Sequence, residues 1–182
     1  MELLNTNWLK FWFVLWAIAP ALSATQPQTP TEYEVKAAFL LNFARFIEWP
    51  PEYETGPICI GIVGQDPFGP VLDEAIKGQG VNGRAFVVRR FRKHQEAAAC
   101  HIVFFGASEE SRLPSLLTRL QPGAVLTVGE TPEFCRKGGI INFELAGNRV
   151  RFEINFGAAH AARLHISSKL LSLATRVLNT AE

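Results

Sequence analysis

Charge of either sign is scarce in this sequence. Lys and Arg number 18 against 17 Asp and Glu, a formal +1 in 182 residues, and only 19% of the residues are charged. A balance this close to zero gives no general pull toward nucleic acid or anionic lipid. Cysteine is also sparse, at three, and Cys59, Cys100 and Cys135 form neither a C-x-x-C pair nor a Cys/His cluster with zinc spacing. The histidines, at positions 94, 101, 160 and 165, never fall three or four residues apart on one helix, so no metal-ligand pair is expected of them. Glycine-rich phosphate motifs are missing too. Gly64-Gln65-Asp66-Pro67-Phe68-Gly69 is neither G-x-G-x-x-G nor a P-loop, and Pro67 lacks an amide donor, so a structural turn is favoured over an anion site. Ser108 lies outside any G-x-S-x-G elbow and reads better as a helix cap than as a nucleophile. No repeat or low-complexity tract appears, and no catalytic constellation assembles. The chain is not expected to be an enzyme or to need a cofactor.

Hydrophobic residues are plentiful, at 48%, and their pattern is that of one globular domain. At the amino terminus Lys10 precedes the apolar run Phe11–Ala19, followed by Pro20 and the small residues Ala21-Leu22-Ser23-Ala24. This is the order of a secretory signal peptide, cleaved after Ser23 or Ala24. The run is short for a spanning helix, which needs roughly 20 apolar residues; a retained anchor is the competing reading. Residues 25–30 read as a flexible mature amino terminus and 31–182 as a single domain. Export places the cysteines where two of the three can pair.

Along that domain, Thr31-x-x-Glu34 has the form of a capping box, and the apolar spacing from Val35 to Ile47 predicts a helix over about 32–48. The apolar runs at 58–64 and 101–105 predict buried strands, and 85–90 and 124–128 are read as two further strands. Asp66 and Pro67 are expected to open one intervening helix and Ser108 another, with a short helix from Thr131 to Gly138. Residues 140–145 and 149–155 alternate as an antiparallel hairpin, and a last helix capped by Ser167 or Ser168 is expected to run through Val177. The fold class is α/β: a mostly parallel sheet flanked by helices on both faces, with an antiparallel hairpin near the C-terminal end. Where such a sheet sets its first and third strands side by side, ~4.8 Å apart, Cys59 and Cys100 fall within disulfide reach. Cys135 would then be a buried small hydrophobe or a labile free thiol.

Several stretches together resemble the YfiR family of periplasmic proteins, over about 31 to 178. They are Tyr33-Glu34-Val35-Lys36-Ala37-Ala38-Phe39-Leu40, Phe46-Ile47-Glu48-Trp49-Pro50, the 64–69 loop, Leu126-Thr127-Val128-Gly129, Gly138-Gly139-Ile140-Ile141-Asn142-Phe143, Arg149–Asn155, and most specifically Ala162–Leu171. The resemblance implies a homodimeric periplasmic repressor that binds the periplasmic sensor domain of an inner-membrane diguanylate cyclase. An outer-membrane lipoprotein would sequester it, raising cyclic di-GMP and favouring biofilm. It also implies two disulfides: Cys59 and Cys100 match the more widely shared pair, while Cys135 matches one cysteine of a second pair whose partner position holds Asn142 here. A small-ligand sensor or an envelope adaptor for another membrane signalling protein is the alternative reading.

A repressor needs a surface that prefers one state of its target. The candidates are the aromatic helix end, Arg45, Phe46, Glu48 and Trp49, and the basic stretch Arg89, Arg90, Arg92 and Lys93. The basic stretch is equally readable as a solvated edge strand that its charges protect from aggregation.

Overall fold

Thr31 opens the first helix as its sequence foretells. Its hydroxyl accepts from the Glu34 amide while the Glu34 carboxylate accepts from the Thr31 amide, at 2.6 Å, and helix α1 runs Glu32–Phe46. The computed structural model describes residues 30–91, 94–121 and 123–179. The signal-peptide reading and the positions of Arg92 and Lys93 lie outside the described residues.

After α1 come strand β1 (Ile47–Glu48), a 3-10 turn at Pro51–Tyr53, strand β2 (Ile58–Val63), helix α2 (Pro70–Ile76), and strands β3 (Gly80–Val81) and β4 (Arg84–Phe91). Then follow strand β5 (Ile102–Phe105), helix α3 (Leu113–Leu120), and strands β6 (Leu126–Gly129), β7 (Ile141–Ala146) and β8 (Arg149–Asn155). The chain ends in helix α4 (Phe156–Ala161), strand β9 (His165–Ile166), helix α5 (Ser168–Leu173) and strand β10 (Arg176–Leu178).

Eight strands form one sheet in the order β10-β8-β7-β6-β5-β2-β4-β3. Its neighbours run parallel except for the β7–β8 and β3–β4 hairpins. A separate antiparallel pair joins β1 to β9. The expected α/β class is what the chain adopts.

Alternation along the buried strands splits the core in two. Ile58, Ile60 and Ile62 face the side covered by α1, while Cys59 and Val63 face α3 and its stripe Leu113, Leu116, Leu117 and Leu120. The β7–β8 register sets Asn142 opposite Glu153, and Asn142 also lies level with Gly129 of β6. Residues 143–146 of β7 therefore run on past the carboxyl end of β6. Phe143 and Phe152 of this projecting hairpin pack on Phe39 and Phe43 of α1.

Four local expectations are corrected. Helix α2 begins at Pro70 rather than Pro67, because Asp66 Oδ1 accepts from the Phe68 and Gly69 amides and holds those residues in a turn. Ser108 caps nothing: it lies within a 3-10 segment, Ala107–Arg112, and its hydroxyl accepts from the Gln65 amide at 2.9 Å. Residues 131–138 form successive turns rather than a helix. The last helix stops at Leu173, because the Thr175 amide donates to Phe152 O and Arg176–Leu178 pairs with β8 as an edge strand.

Candidate functional site

Open α/β sheets bind ligands beyond the carboxyl ends of their strands, where the strand order reverses. Here that point lies between β2 and its neighbours β4 and β5, and it is closed. A Cβ on Gly106 would stand 2.4 Å from Gln65 O, so the two loops are in backbone contact. The amides of Gln65, Phe68 and Gly69 are already given to Ser108 and Asp66. Arg90 completes the closure, donating to Asp66, Gly69 O and both oxygens of Asp73. The 64–69 loop is the structural turn that its sequence favours.

The carboxyl end of β6 is open instead. A cavity of about 490 Å³ lies there between the first turn of α1, the Glu130–Glu133 turn and the projecting hairpin. Lys36 reaches it from α1. Its ammonium donates to Glu130 Oε2 at 2.6 Å and to Glu32, and stands 4.7 Å from the centre of the Tyr33 ring. Burial alone would lower the Lys36 pKa, but the hydrogen bonds to Glu130 and Glu32 outweigh it and hold the ammonium above its ordinary value. Burial, and then the Glu130 charge, push the Tyr33 phenol upward. On the hairpin side, the buried Glu153 accepts from Asn142 Nδ2 and from Arg176, which also pairs with Glu144. None of these groups was singled out for function in the sequence. The signal available was the Lys36 ammonium on an otherwise apolar helix face.

At the opposite, amino edge of the sheet, Cys59 of β2 and Cys100, just ahead of β5, are joined in a disulfide, with Cα atoms 4.7 Å apart. His101 packs beside it. Its Nδ1 accepts from the Cys59 amide, Nε2 lies 2.9 Å from Tyr53 O, and the Trp49 ring stands edge-on to it. Burial lowers the His101 pKa, and the nearby Arg84 guanidinium adds to this. Cys135 is fully buried, between Ile140 O and Glu153 O, and burial pushes its thiol far up. That environment is of a packed thiol, not a nucleophilic one.

The residues expected to meet a partner are not brought together. Trp49 is only 8% exposed and is committed to the His101 contact, so it is withdrawn as a surface anchor. Arg45 and Glu48 are exposed and Phe46 is half-buried under Lys169 at that same amino edge. Arg89 is exposed and Arg90 is tied down at the carboxyl edge, about the length of a strand away. Among the described residues, no group of three or more His, Cys, Asp or Glu is placed to hold a metal ion, and no helix is long and apolar enough to cross a membrane.

A family model described as YfiR/HmsC-like matches residues 33–175, which takes in the disulfide, the projecting hairpin and the lining of the cavity except Glu32 and Arg176. Among solved structures, a conserved domain protein from Vibrio cholerae O1 biovar El Tor str. N16961 superposes with a TM-score of 0.59 at 12% identity, over 81% of this chain and 60% of its own. The ABC domain in complex with L-Trp from Streptococcus pneumonia gives 0.54 at 11% identity, over 78% and 60%. The chain thus spans about 60% of the length of each. At such identities the likeness is one of fold.

Proposed function

The chain belongs to the YfiR/HmsC-like family, and on that footing we propose that it is a periplasmic repressor of an inner-membrane diguanylate cyclase. It binds the cyclase's periplasmic sensor domain and holds the enzyme in its inactive state, keeping cyclic di-GMP low. An outer-membrane lipoprotein relieves the inhibition by sequestering the repressor, which acts as a homodimer. The observation that carries this reading is the family match over 33–175, nearly the whole described chain. The disulfide between Cys59 and Cys100 suits an oxidising compartment and an exported protein.

Repression requires tighter binding to the inactive sensor than to the active one, since only differential affinity shifts an equilibrium. We assign that contact to Arg45, Phe46 and Glu48 at the amino edge, with Arg89 as a second, separate contact. Leu173, 54% exposed on α5, extends the apolar surface available to a partner. Deleting the gene and measuring cyclic di-GMP tests the reading, together with capture of membrane proteins by the tagged chain from envelope extracts. A rise in cyclic di-GMP and recovery of a cyclase are expected. Unchanged cyclic di-GMP with no membrane signalling protein recovered would sink the proposal.

A further inference from the structure

Strand β4 has an open outer edge. It pairs with β2 from Phe86 to Phe91 without a bulge, while β3 covers only Arg84 and Ala85. The direction of its backbone groups follows from two registers. Cys59 turns both its amide and its carbonyl toward the β5 side, to His101, so Ile58, Ile60 and Ile62 turn theirs toward β4. In a parallel ladder Ile60, level with Val88, bonds to the residues on either side of it, Val87 and Arg89. Phe86, Val88 and Arg90 therefore point their N–H and C=O groups outward. The Val81–Arg84 hairpin agrees. Asn82 and Gly83 have φ of 52° and 77°, a two-residue type I′ turn, which sets the Arg84 backbone groups facing β3. Phe86, Val88 and Arg90 follow Arg84 at even spacing. Among the described residues nothing bonds to their outward groups.

Such an edge is a template for a further strand. The stretch contains no proline or glycine, and the half-buried Val87, Val88 and Phe91 offer apolar surface on both faces of the sheet. At the far end of the sheet, β10 is only three residues long. Two charges stand on the β4 edge. Arg90 is held by Asp66 and Asp73, whereas Arg89 is exposed and makes no ion pair among the described residues. By alternation Arg89 shares a face of the sheet with Val87 and Phe91. A second copy of the chain paired here would bring its own Arg89 to the same strand, like charge against like. An acidic strand brings the opposite charge. We infer that β4 docks an extended acidic segment of a partner protein by strand addition, its backbone bonding to Phe86, Val88 and Arg90 and its carboxylate meeting Arg89. This deepens the assignment of Arg89 as a partner contact and rests on it, adding the form and charge of what that contact receives.

The test adds a blocked eight-residue peptide of alternating valine and glutamate to the purified full mature chain and follows amide hydrogen exchange. The amides of Phe86, Val88 and Arg90 are expected to exchange fast in the free protein and slowly with the peptide, while those of Val87, Arg89 and Phe91, bonded to β2, are slow throughout. The same peptide with lysine for glutamate should bind more weakly, and one N-methylated at every residue should not bind. Arg89→Glu should weaken binding of the glutamate peptide roughly three- to tenfold, as exchanging an attractive for a repulsive cross-strand pair allows, and should favour the lysine peptide. Val88→Pro removes an outward donor and leaves the pairing with β2, since proline is tolerated where a strand edge faces solvent; it should weaken binding too, and Arg89→Glu carries the test if that variant does not fold. The inference is overturned if the three outward amides gain no protection, if the lysine or N-methylated peptide binds as well, or if Arg89→Glu binds like the parent. Concentration-dependent protection of those amides without peptide would place a second copy on the edge and overturn it equally. Because the readout is on the isolated chain, any of these outcomes removes only the strand-addition mode, whereas cyclic di-GMP after gene deletion tests repression itself.

Discussion

Lys36 Nζ donates to Glu130 Oε2 at 2.6 Å across 94 residues of sequence, tying the first turns of α1 to the end of β6. The ammonium is almost wholly buried, so each partner is costly to leave alone. Lys36→Met is expected to cost about 3 kcal/mol, because it strands the largely buried Glu130 charge without its partner. The double variant Lys36→Met/Glu130→Leu should recover most of that loss, an apolar pair being nearly equivalent to a buried ion pair. Urea denaturation of the parent, Lys36→Met and the double variant measures both values. A single-variant cost of a few tenths of a kcal/mol would show the pair to be an ordinary surface contact.

Phe134 is held in a slot with a glycine on either side. A Cβ at Gly139 would stand 2.1 Å from the Phe134 ring and one at Gly129 2.4 Å from it. The ring is fully buried and blocked on both sides, so it cannot give way. Gly139→Ala and Gly129→Ala should each cost about 1–3 kcal/mol by overpacking, read as a fall in the urea midpoint. The slot fixes the turns from Thr131 to Gly138, so either variant should also disturb the cavity that Thr131 lines.

This slot marks where the sequence stopped being legible. The strands at 58–63 and 102–105 announced themselves as unbroken apolar runs, and the Thr31/Glu34 box fixed the start of α1, because both signals are local. Residues 131–138 carried local helix-start chemistry, Thr-Pro-Glu, but the segment is shaped by Phe134 seating between Gly129 at the end of β6 and Gly139 just ahead of β7. Strand β10 was missed for the same reason: Thr175 and Arg176 answer to Phe152 and Glu153, more than 20 residues away. The cavity was invisible from spacing alone, since Lys36, Glu130 and Asn142 come from three distant stretches. The cysteine pair was accessible, because two adjacent parallel strands place their starts side by side.

Arg89 and Arg90 are adjacent but differ in role. Arg90 is locked by Asp66 and Asp73, whose carboxyl it holds below the usual range. Arg90→Ala should therefore lower stability by about 1 kcal/mol, near the upper end for half-exposed pairs. Arg89 makes no ion pair among the described residues, and Arg89→Glu should leave stability within about 0.5 kcal/mol while slowing association with the captured membrane domain in a salt-dependent way. Surface plasmon resonance at two ionic strengths separates these effects. Equal association rates for Arg89→Glu and the parent would remove this edge from the docking surface.

The Cys59–Cys100 bridge closes a loop with a sequence separation of 41. On the chain-entropy model that stabilises the fold by roughly 4 kcal/mol, and Cys59→Ser/Cys100→Ser should lose about that much. Cys135, buried with its pKa raised, should resist alkylation in the native protein and react once urea unfolds it. Peptide mapping should show Cys59 linked to Cys100 with Cys135 as the thiol. Rapid native alkylation of Cys135 would contradict its packing.

His101 makes the amino edge sensitive to acid. The Cys59 amide donates to Nδ1, so the neutral ring carries its proton on Nε2, facing Tyr53 O. A second proton would have to enter at Nδ1, against that amide, and would add a cation beside Arg84 Nη2, 2.7 Å from Nε2. Burial first, and Arg84 next, thus hold the folded pKa below the ordinary 6.5. Between 6.5 and that lower value the unfolded chain binds more protons than the folded one, so stability falls as pH falls through this window. One group can contribute at most about 1.4 kcal/mol per pH unit. The depressed carboxyls, Glu34, Glu52 and Asp73, act below their ordinary values of 4.5 and 3.8, outside most of this range. Urea midpoints measured from pH 7.5 to 5 should therefore decline for the parent and stay flatter for His101→Gln, which keeps a donor and an acceptor without titrating. Parallel declines in the two proteins would place the acid sensitivity elsewhere. A real difference would tie the geometry around Cys100, and the β1 edge that carries Glu48, to the acidity of the compartment.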